Sequence, residues 1–356
     1  MKSKMIGLLY LAGLAVSAAA GAAAPAIPSC DRSCLEAFVD RYLDAVVVNK
    51  PGLVQISPNV RFTEDGQRLL IGDGLWNTMK GKGKYRLFVT DAPAGEVTFL
   101  GTIQEDHRDA DKFNGSLIAL RLRVKDQMIT EVEQIVFRFP NETGDNFNRT
   151  YSRVDAMATH PKYLQAIPAG ERMSRSDLIT QGNKYFSGMQ KNDGKGDYPF
   201  SQDCLRHENG GQSTSAPTPP GQTKPDPKTA LVYSGQWNCL EQFQSGLIHF
   251  VNRIRDRRFV AVDQERGIVF AFAFFDHSGG ESRRFLTPSG REVVAGPVQP
   301  HTWQIAEIFK LEKGLITKID AFLQRSPYGM NSGWSTWEQG MSDQVRDVTM
   351  EAPAGI

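Results

Sequence analysis

The 356 residues contain no HExxH, CxxC, EF-hand loop, Walker loop, dinucleotide-binding fingerprint or GxSxG elbow. The residues that zinc hydrolysis, calcium binding, nucleotide chemistry and serine hydrolysis usually need are therefore missing at their usual spacings. Histidine is scarce: His107, His160, His207, His249, His277 and His301 are scattered without ligand spacing. No metal or nucleotide cofactor is expected. A dominant charge is lacking too, since 41 basic residues face 40 acidic ones for a net charge of +1. That balance leaves no basic footprint for nucleic acid and no acidic tail, and favours a small or neutral partner. After residue 24 there is no apolar run of about 18 residues, so no membrane span is expected.

What the chain does have begins with a leader. Lys2 and Lys4 precede an apolar run from Met5 to Val16 and a small-residue zone from Ala18 to Ala24, the order of a secretory signal over 1–24. The mature protein is expected to be secreted or periplasmic, with a net charge near −1 once the two lysines are gone. Its four cysteines then read as disulfides. Three connectivities exist; Cys30–Cys34 with Cys204–Cys239 keeps each bridge within one half of the chain. The alternative, a catalytic thiol, lacks a local basic setting to hold a thiolate. Asn114, Asn141 and Asn148 head glycosylation sequons, which carry meaning only in a eukaryotic host.

The chain uses one block twice. Arg86–Gly101 and Arg258–Ala273 share Arg, Asp, Gly and Val at 86/258, 91/263, 95/267 and 97/269. A second block follows each: Val124–Arg138 and Leu311–Arg325 share Ile-Thr and a closing Arg. Repetition of this kind defines architecture. Each copy opens on an amphipathic helix: residues 34–47 carry Leu35, Phe38, Tyr42 and Val46 at helical spacing, and Leu178, Tyr185, Phe186 and Met189 follow a Ser174 or Ser176 cap. A hairpin turning at Glu64-Asp65-Gly66 is expected from Ile56 to Ile71, then a Gly/Lys loop over Met79–Lys84. Residues 141–174 read as a connector. The second copy adds a polar loop (Gly211–Lys228), a helix expected over Cys239–Ile254, a long mid-sheet loop (His277–Pro300) and a tail from Ser326 to Ile356. Its strands are apolar on both faces, as at Ile268–Phe275, so both faces must be covered. One face would meet helices and the other the sheet of the first copy.

Helix, hairpin and curved sheet in that order resemble the NTF2-like (SnoaL-like) cone fold. The stretches GDGLWNTM (72–79), RDRRFVAVDQERGIVFAFAFFDH (255–277), TWQIAEIFK (302–310) and RSPYGMNSGW (325–334) are similar to a family of exported tandem proteins of this fold. The resemblance covers most of residues 30–335. It implies an α+β protein of two tandem cones, each a curved antiparallel sheet plus helices, at 30–140 and 175–325. The cones would pack as an intrachain pseudo-dimer, giving a monomer or a weak homodimer. Members of the fold include isomerases, cyclases, hydrolases, dehydratases and lyases as well as binding modules without catalysis, so fold alone does not select an activity.

The candidate site falls in the second copy. Glu307 shares a strand face with Trp303, Ile305 and Phe309, where a carboxyl should have a raised pKa suited to moving a proton near neutral pH; alternatively it forms a structural ion pair with Arg325 or Arg253. Arg253 or Arg325 would steady an oxyanion, with Asp256 orienting the arginine. His207 or Glu208 would be a second proton carrier at the mouth. Trp303, Phe270, Phe272 and Phe309 would wall the cavity, with Tyr328 close by in the RSPYGMNSGW stretch. Asp276 and His277, adjacent in a strand, should point to opposite faces. In the first copy Leu120 and Ser116 stand where the second has Glu307 and Trp303; Trp76 and Arg121 either line a residual pocket or, the favoured reading, are core and surface. The expected activity is a cofactor-independent lyase or isomerase acting on a hydrophobic, aromatic or polyketide-like molecule. The alternative is a non-catalytic binding protein for such a molecule.

Overall fold

The computed structural model describes residues 30–106, 113–139 and 153–349. The leader and the sequons at Asn141 and Asn148 lie outside the described residues. The fold is α+β, with two curved, mixed sheets, each backed by its own helix layer. Among the described residues no helix is long and apolar enough to cross a membrane.

The first half starts with α1 (Arg32–Val47), capped by the Asp31 carboxylate and burying Leu35, Phe38, Tyr42 and Val46. Strands β1 (Ile56–Glu64) and β2 (Gln67–Arg68) form the expected hairpin. The short helix α2 (Leu75–Thr78) leads to β3 (Met79–Asp91), β4 (Glu96–Asp106), β5 (Phe113–Lys125) and β6 (Met128–Phe137). The sheet order is β2-β1-β6-β5-β4-β3. Its strands are not all antiparallel, because β1 runs parallel to β6. The Gly/Lys stretch at 79–84 is strand rather than loop. It pairs with β4 through register shifts at the sheet's edge, where Lys80, Lys82 and Lys84 discourage pairing with another chain. Gly83 is required there, since a Cβ would sit 2.0 Å from Thr102 Oγ1.

The second half repeats the plan. Helix α3 (Arg175–Met189), capped by Ser174, buries Leu178, Tyr185, Phe186 and Met189. Strands β7 (Phe200–Glu208) and β8 (Gly211–Gln212) follow, then α4 (Cys239–Gln244), β9 (Arg253–Asp263) and β10 (Ile268–His277). The helix expected to reach Ile254 stops ten residues early: the chain turns at Gly246, whose φ of +67° suits glycine alone. The mid-sheet loop folds into its own hairpin, β11 (Arg284–Leu286) with β12 (Glu292–Val294). After β13 (His301–Glu312) and β14 (Leu315–Ser326), the tail forms α5 (Trp337–Met341) and β15 (Val345–Asp347). β15 pairs with β9, so the tail is part of the sheet, in the order β15-β9-β10-β13-β14-β7-β8. Here β7 runs parallel to β14, as β1 does to β6. Both disulfides form as the sequence suggests, Cys30–Cys34 and Cys204–Cys239, which fits an oxidising compartment.

Strand alternation assigns one face of each sheet to its helices and the other to the opposite sheet. Leu87, Leu100, Leu117, Ala119 and Phe137 of the first sheet meet Ala261, Ile268, Phe270, Phe272, Ala306 and Phe322 of the second in one buried cluster. The contact has a reciprocal polar frame. Arg32 at the start of α1 binds Asp263 at the end of β9 (2.6 and 2.9 Å), and Arg175 at the start of α3 binds Asp91 at the end of β3 (2.6 Å). Residue i meets j′ while i′ meets j, the pattern of an isologous interface within one chain.

Candidate acid–base site

Register decides what surrounds Glu307. It stands opposite Ala271 in β10 and Ala321 in β14, and Ala321 stands opposite Glu208 in β7. The small alanines leave the space above them to the side chains that α3 and the edge strands send in. Phe309, on the same face of β13, packs its ring 5.1 Å from that of Tyr185. Glu307 is 1% exposed, and its Oε2 has no hydrogen-bond partner. Burial raises its pKa to about 8, although Arg206 and the neighbouring Tyr185 hydroxyl pull it down; Glu208 pushes it further up. The carboxyl is therefore largely protonated at neutral pH and gives up its proton just above it.

Arg206 is the buried cation of this site. Its guanidinium donates to Tyr185 Oη (3.1 Å), Gln242 Oε1 (2.9 Å), Ser213 Oγ (3.0 Å) and the Tyr233 hydroxyl. Glu208 Oε1 lies 3.3 Å from Arg206 Nε and is about a third exposed, so the cluster runs from solvent inward. Above it lies the segment 213–237, held by Gln242 Nε2 bonds to the carbonyls of Ser213 and Ser234 (2.6 and 3.1 Å). The Cys204–Cys239 bridge ties α4, which carries Gln242, to the strand that carries Arg206. The first half has no such cover: its chain passes from β2 to α2 in a few residues. There Tyr42, from the corresponding helix, donates to Gln134 Oε1 (2.9 Å). Gln134 donates to Glu64 (2.9 Å), which also accepts from Leu75 N and Arg138. That network is satisfied, with Leu120 in the place of Glu307; the second half keeps a buried acid with an open lone pair.

Several expected site residues lie elsewhere. Phe270 and Phe272 have the wrong parity: they alternate with Ala271 and so point into the core between the sheets. His207 likewise points away from Glu307, because its neighbours Arg206 and Glu208 point towards it. Arg253 begins β9 rather than ending a helix, and pairs with Asp276 (2.7 Å), where Arg255 also binds (2.9 Å). Arg325 is exposed opposite Trp303. Both arginines stand four or more strand residues from Glu307, roughly 13 Å or more away, so neither pairs with it. Asp256, at φ +50°, accepts from Ser332 (2.8 Å) and Ser335 (2.6 Å) and clamps the tail; the arginines beside it are Arg258 (3.4 Å) and Arg346 (3.5 Å), not Arg253 or Arg325. Tyr328 is half exposed and its hydroxyl meets Ser278. Trp303 keeps the face of Glu307 but sits against His301, whose ring stacks on His277 at 4.8 Å. Asp276 and His277 do diverge. Trp76 is core, and Arg121 is buried in ion pairs with Glu96 and Glu131.

Sequence reasoning missed Arg206, Tyr185, Tyr233 and Gln242. For Arg206 a signal existed: two residues before Glu208 in a strand, it shares that residue's face. Tyr185 was hidden in an apolar helix stripe, Tyr233 comes from the insertion between β8 and α4, which has no counterpart in the first half, and Gln242 from α4 just after it.

The geometry thus defines an α+β protein with a covered acid–arginine–tyrosine cluster in its second half. Residues 171–323 match the family model described as a domain of unknown function, DUF8021. No curated protein matches the chain. Among solved structures, a de novo designed protein with a curved β-sheet matches with a TM-score of 0.25 and 14% identity, over 43% of this chain and 88% of that one. A superposition that loose carries no argument here, and the fold rests on the strand registers above.

Proposed function

We propose that each half is an NTF2-like cone and that the second half is a cofactor-independent acid–base enzyme, a lyase or isomerase of a hydrophobic small molecule. One observation carries the reading: a fully buried carboxyl with an open oxygen and a pKa of about 8, next to a buried arginine and tyrosine. Glu307 moves the proton, and its value near the working pH balances the fraction in the right state against driving force. Arg206, with the hydroxyls of Tyr185 and Tyr233, stabilises the negative charge that develops on the substrate, a contribution that grows where water is excluded. Phe309, Phe243 and Phe186 supply the apolar surroundings. Substrate enters where the segment 213–237 covers the cluster, and the segment's return after entry shuts out water. That segment is held by the Arg206 and Gln242 hydrogen bonds and by Tyr233 and Trp237 packed against Leu247, Phe285 and Val293.

The test begins with native mass spectrometry of the purified protein to name a co-purified ligand class. On a substrate so identified, Glu307→Gln should cut turnover by about 10²–10⁴-fold with the fold retained. Unchanged turnover would reject Glu307 as the proton carrier. Ligand binding with no turnover of any compound would instead establish a non-catalytic binding protein.

A further inference from the structure

The seam between the sheets has two corners that correspond by register, and they differ. Glu133 in β6 stands opposite Thr63 of β1, and Asp320 in β14 stands opposite His207 of β7. Arg258 of β9 takes up Glu133 with two bonds of 2.9 and 2.6 Å. Trp334 of the tail closes that corner further, donating to Thr63 Oγ1 and lying against Arg61 and Arg121. At the other corner no guanidinium among the described residues meets Asp320. Arg86, the counterpart of Arg258 in the sequence repeat, turns to Asp40 of α1 instead. A cavity of about 200 Å³ remains, lined by Tyr85, Met157, His160, His207, Lys318 and Asp320, with Ala156, Ala158 and Gly210 at its border.

The hydrogen bonds around this cavity leave donors over. Lys318 Nζ is saturated by His207 Nδ1 (2.7 Å), Asp320 Oδ1 (2.9 Å) and the Ile319 carbonyl (3.2 Å). Because His207 accepts at Nδ1, its ring proton resides on Nε2. His160 Nδ1 accepts from the Lys162 amide (3.2 Å), which sets the same tautomer. Burial, with Lys318 nearby, lowers the pKa of both rings, so both are neutral N–H donors at neutral pH. The Tyr85 hydroxyl is buried close to Asp320 yet closes no hydrogen bond. Asp320 is already neutralised by Lys318. The uncommitted polar groups that line the cavity are thus two imidazole N–H and a phenol, with an apolar strip of Ala156, Met157 and Ala158 beside them; the Tyr163 hydroxyl near Asp320 is unpartnered too but does not line the cavity.

We propose that this corner is a binding site, separate from the acid–base cluster, for a small organic carboxylate with an apolar body. The carboxylate accepts from His207 Nε2, His160 Nε2 and Tyr85 Oη, and the apolar body lies on Met157. The ligand is smaller than a drug-sized molecule, whose pockets begin at about 300 Å³. It fills the place that the Arg258–Glu133 pair and Trp334 fill in the other corner.

Isothermal titration of the mature protein with benzoate and propionate, and with uncharged benzamide, tests this. One equivalent of carboxylate should bind, with benzamide weaker by about tenfold or more. Tyr85→Phe, which keeps the ring on Phe322, and His207→Ala should each weaken benzoate by roughly tenfold or more. Ala158→Trp, at an exposed position on the rim, should block uptake while leaving the circular dichroism unchanged. Binding of neither carboxylate by the wild type at millimolar concentration would overturn the proposal. So would equal affinity for benzamide, or benzoate binding that survives in Ala158→Trp.

Discussion

At the scale of one residue, Glu307 shows how a fold sets a pKa. Its carboxyl ordinarily titrates near 4.5, and in the folded protein near 8. Between those values the folded chain holds a proton that the unfolded chain has released. Its contribution to stability is therefore fully present below about 4.5 and is lost as pH rises through about 8. The slope can reach about 1.4 kcal/mol per pH unit. Glutamine cannot ionise, so Glu307→Gln should gain stability relative to the wild type as pH is raised from 5 to 8, by up to roughly that slope. Urea unfolding of both proteins at each pH reads the difference directly. A difference that stayed flat from pH 5 to 8 would mean that the carboxyl is already ionised at pH 5, and unfit to carry a proton near neutrality.

At the scale of elements, the insertion between β8 and α4 separates the halves chemically, and one covalent link holds its end. Cys204–Cys239 closes a separation of 35 residues, Cys30–Cys34 one of 4. Loop-closure entropy then assigns about 4 kcal/mol to the long bridge and about 2 kcal/mol to the short one. Cys204→Ala/Cys239→Ala should lower the urea midpoint more than Cys30→Ala/Cys34→Ala does. Equal losses would show that α4 is held by its packing through Phe243 rather than by the bridge. The same elements show what the sequence could tell. Both amphipathic helices, the hairpins and the paired blocks were legible, because 3.6- and 2-residue periodicity is written by burial. So was the second apolar face at Ile268–Phe275, which demanded a second sheet. Less legible was which parity of β10 faces the helices, since Phe270 and Phe275 are equally apolar and only the register to Glu307 distinguishes them. The end of α4 was misread because Leu247 and Val251 continue the helical spacing past Gly246, yet are buried from a turn. Arg253 and Asp256 inherited that error, being placed at a helix end that does not exist.

At the scale of the molecule, the two halves share one core and have no separable surfaces at the seam. The buried residues between the sheets come from both halves, and they would be left as a large apolar face on either half alone. The reciprocal ion pairs stand side by side where the end of β3 meets the end of β9. Asp91 and Asp263 are both almost wholly buried, and each receives an arginine from the helix start of the other half. Asp91 also accepts from the backbone N–H of Val262 at 3.0 Å, so its position sets the end of β9 as well. Removing an arginine leaves a buried carboxylate short of its cation, a loss of about 1.5–3 kcal/mol for charged hydrogen bonds. Arg175→Ala removes bonds to Asp91, Asp347 and Thr349 together, because that guanidinium joins the first sheet to the tail strand. Arg32→Ala removes bonds to Asp263 and Glu265, the second of them exposed. Arg175→Ala should therefore be the more destabilising of the two. If the halves fold as one unit through their shared core, each variant shifts a single cooperative transition to lower temperature without splitting it. Scanning calorimetry of the wild type and both variants decides the matter. Two resolved transitions in Arg175→Ala, one of them unmoved, would show that each half melts alone and that the pairs are ornaments on independent domains.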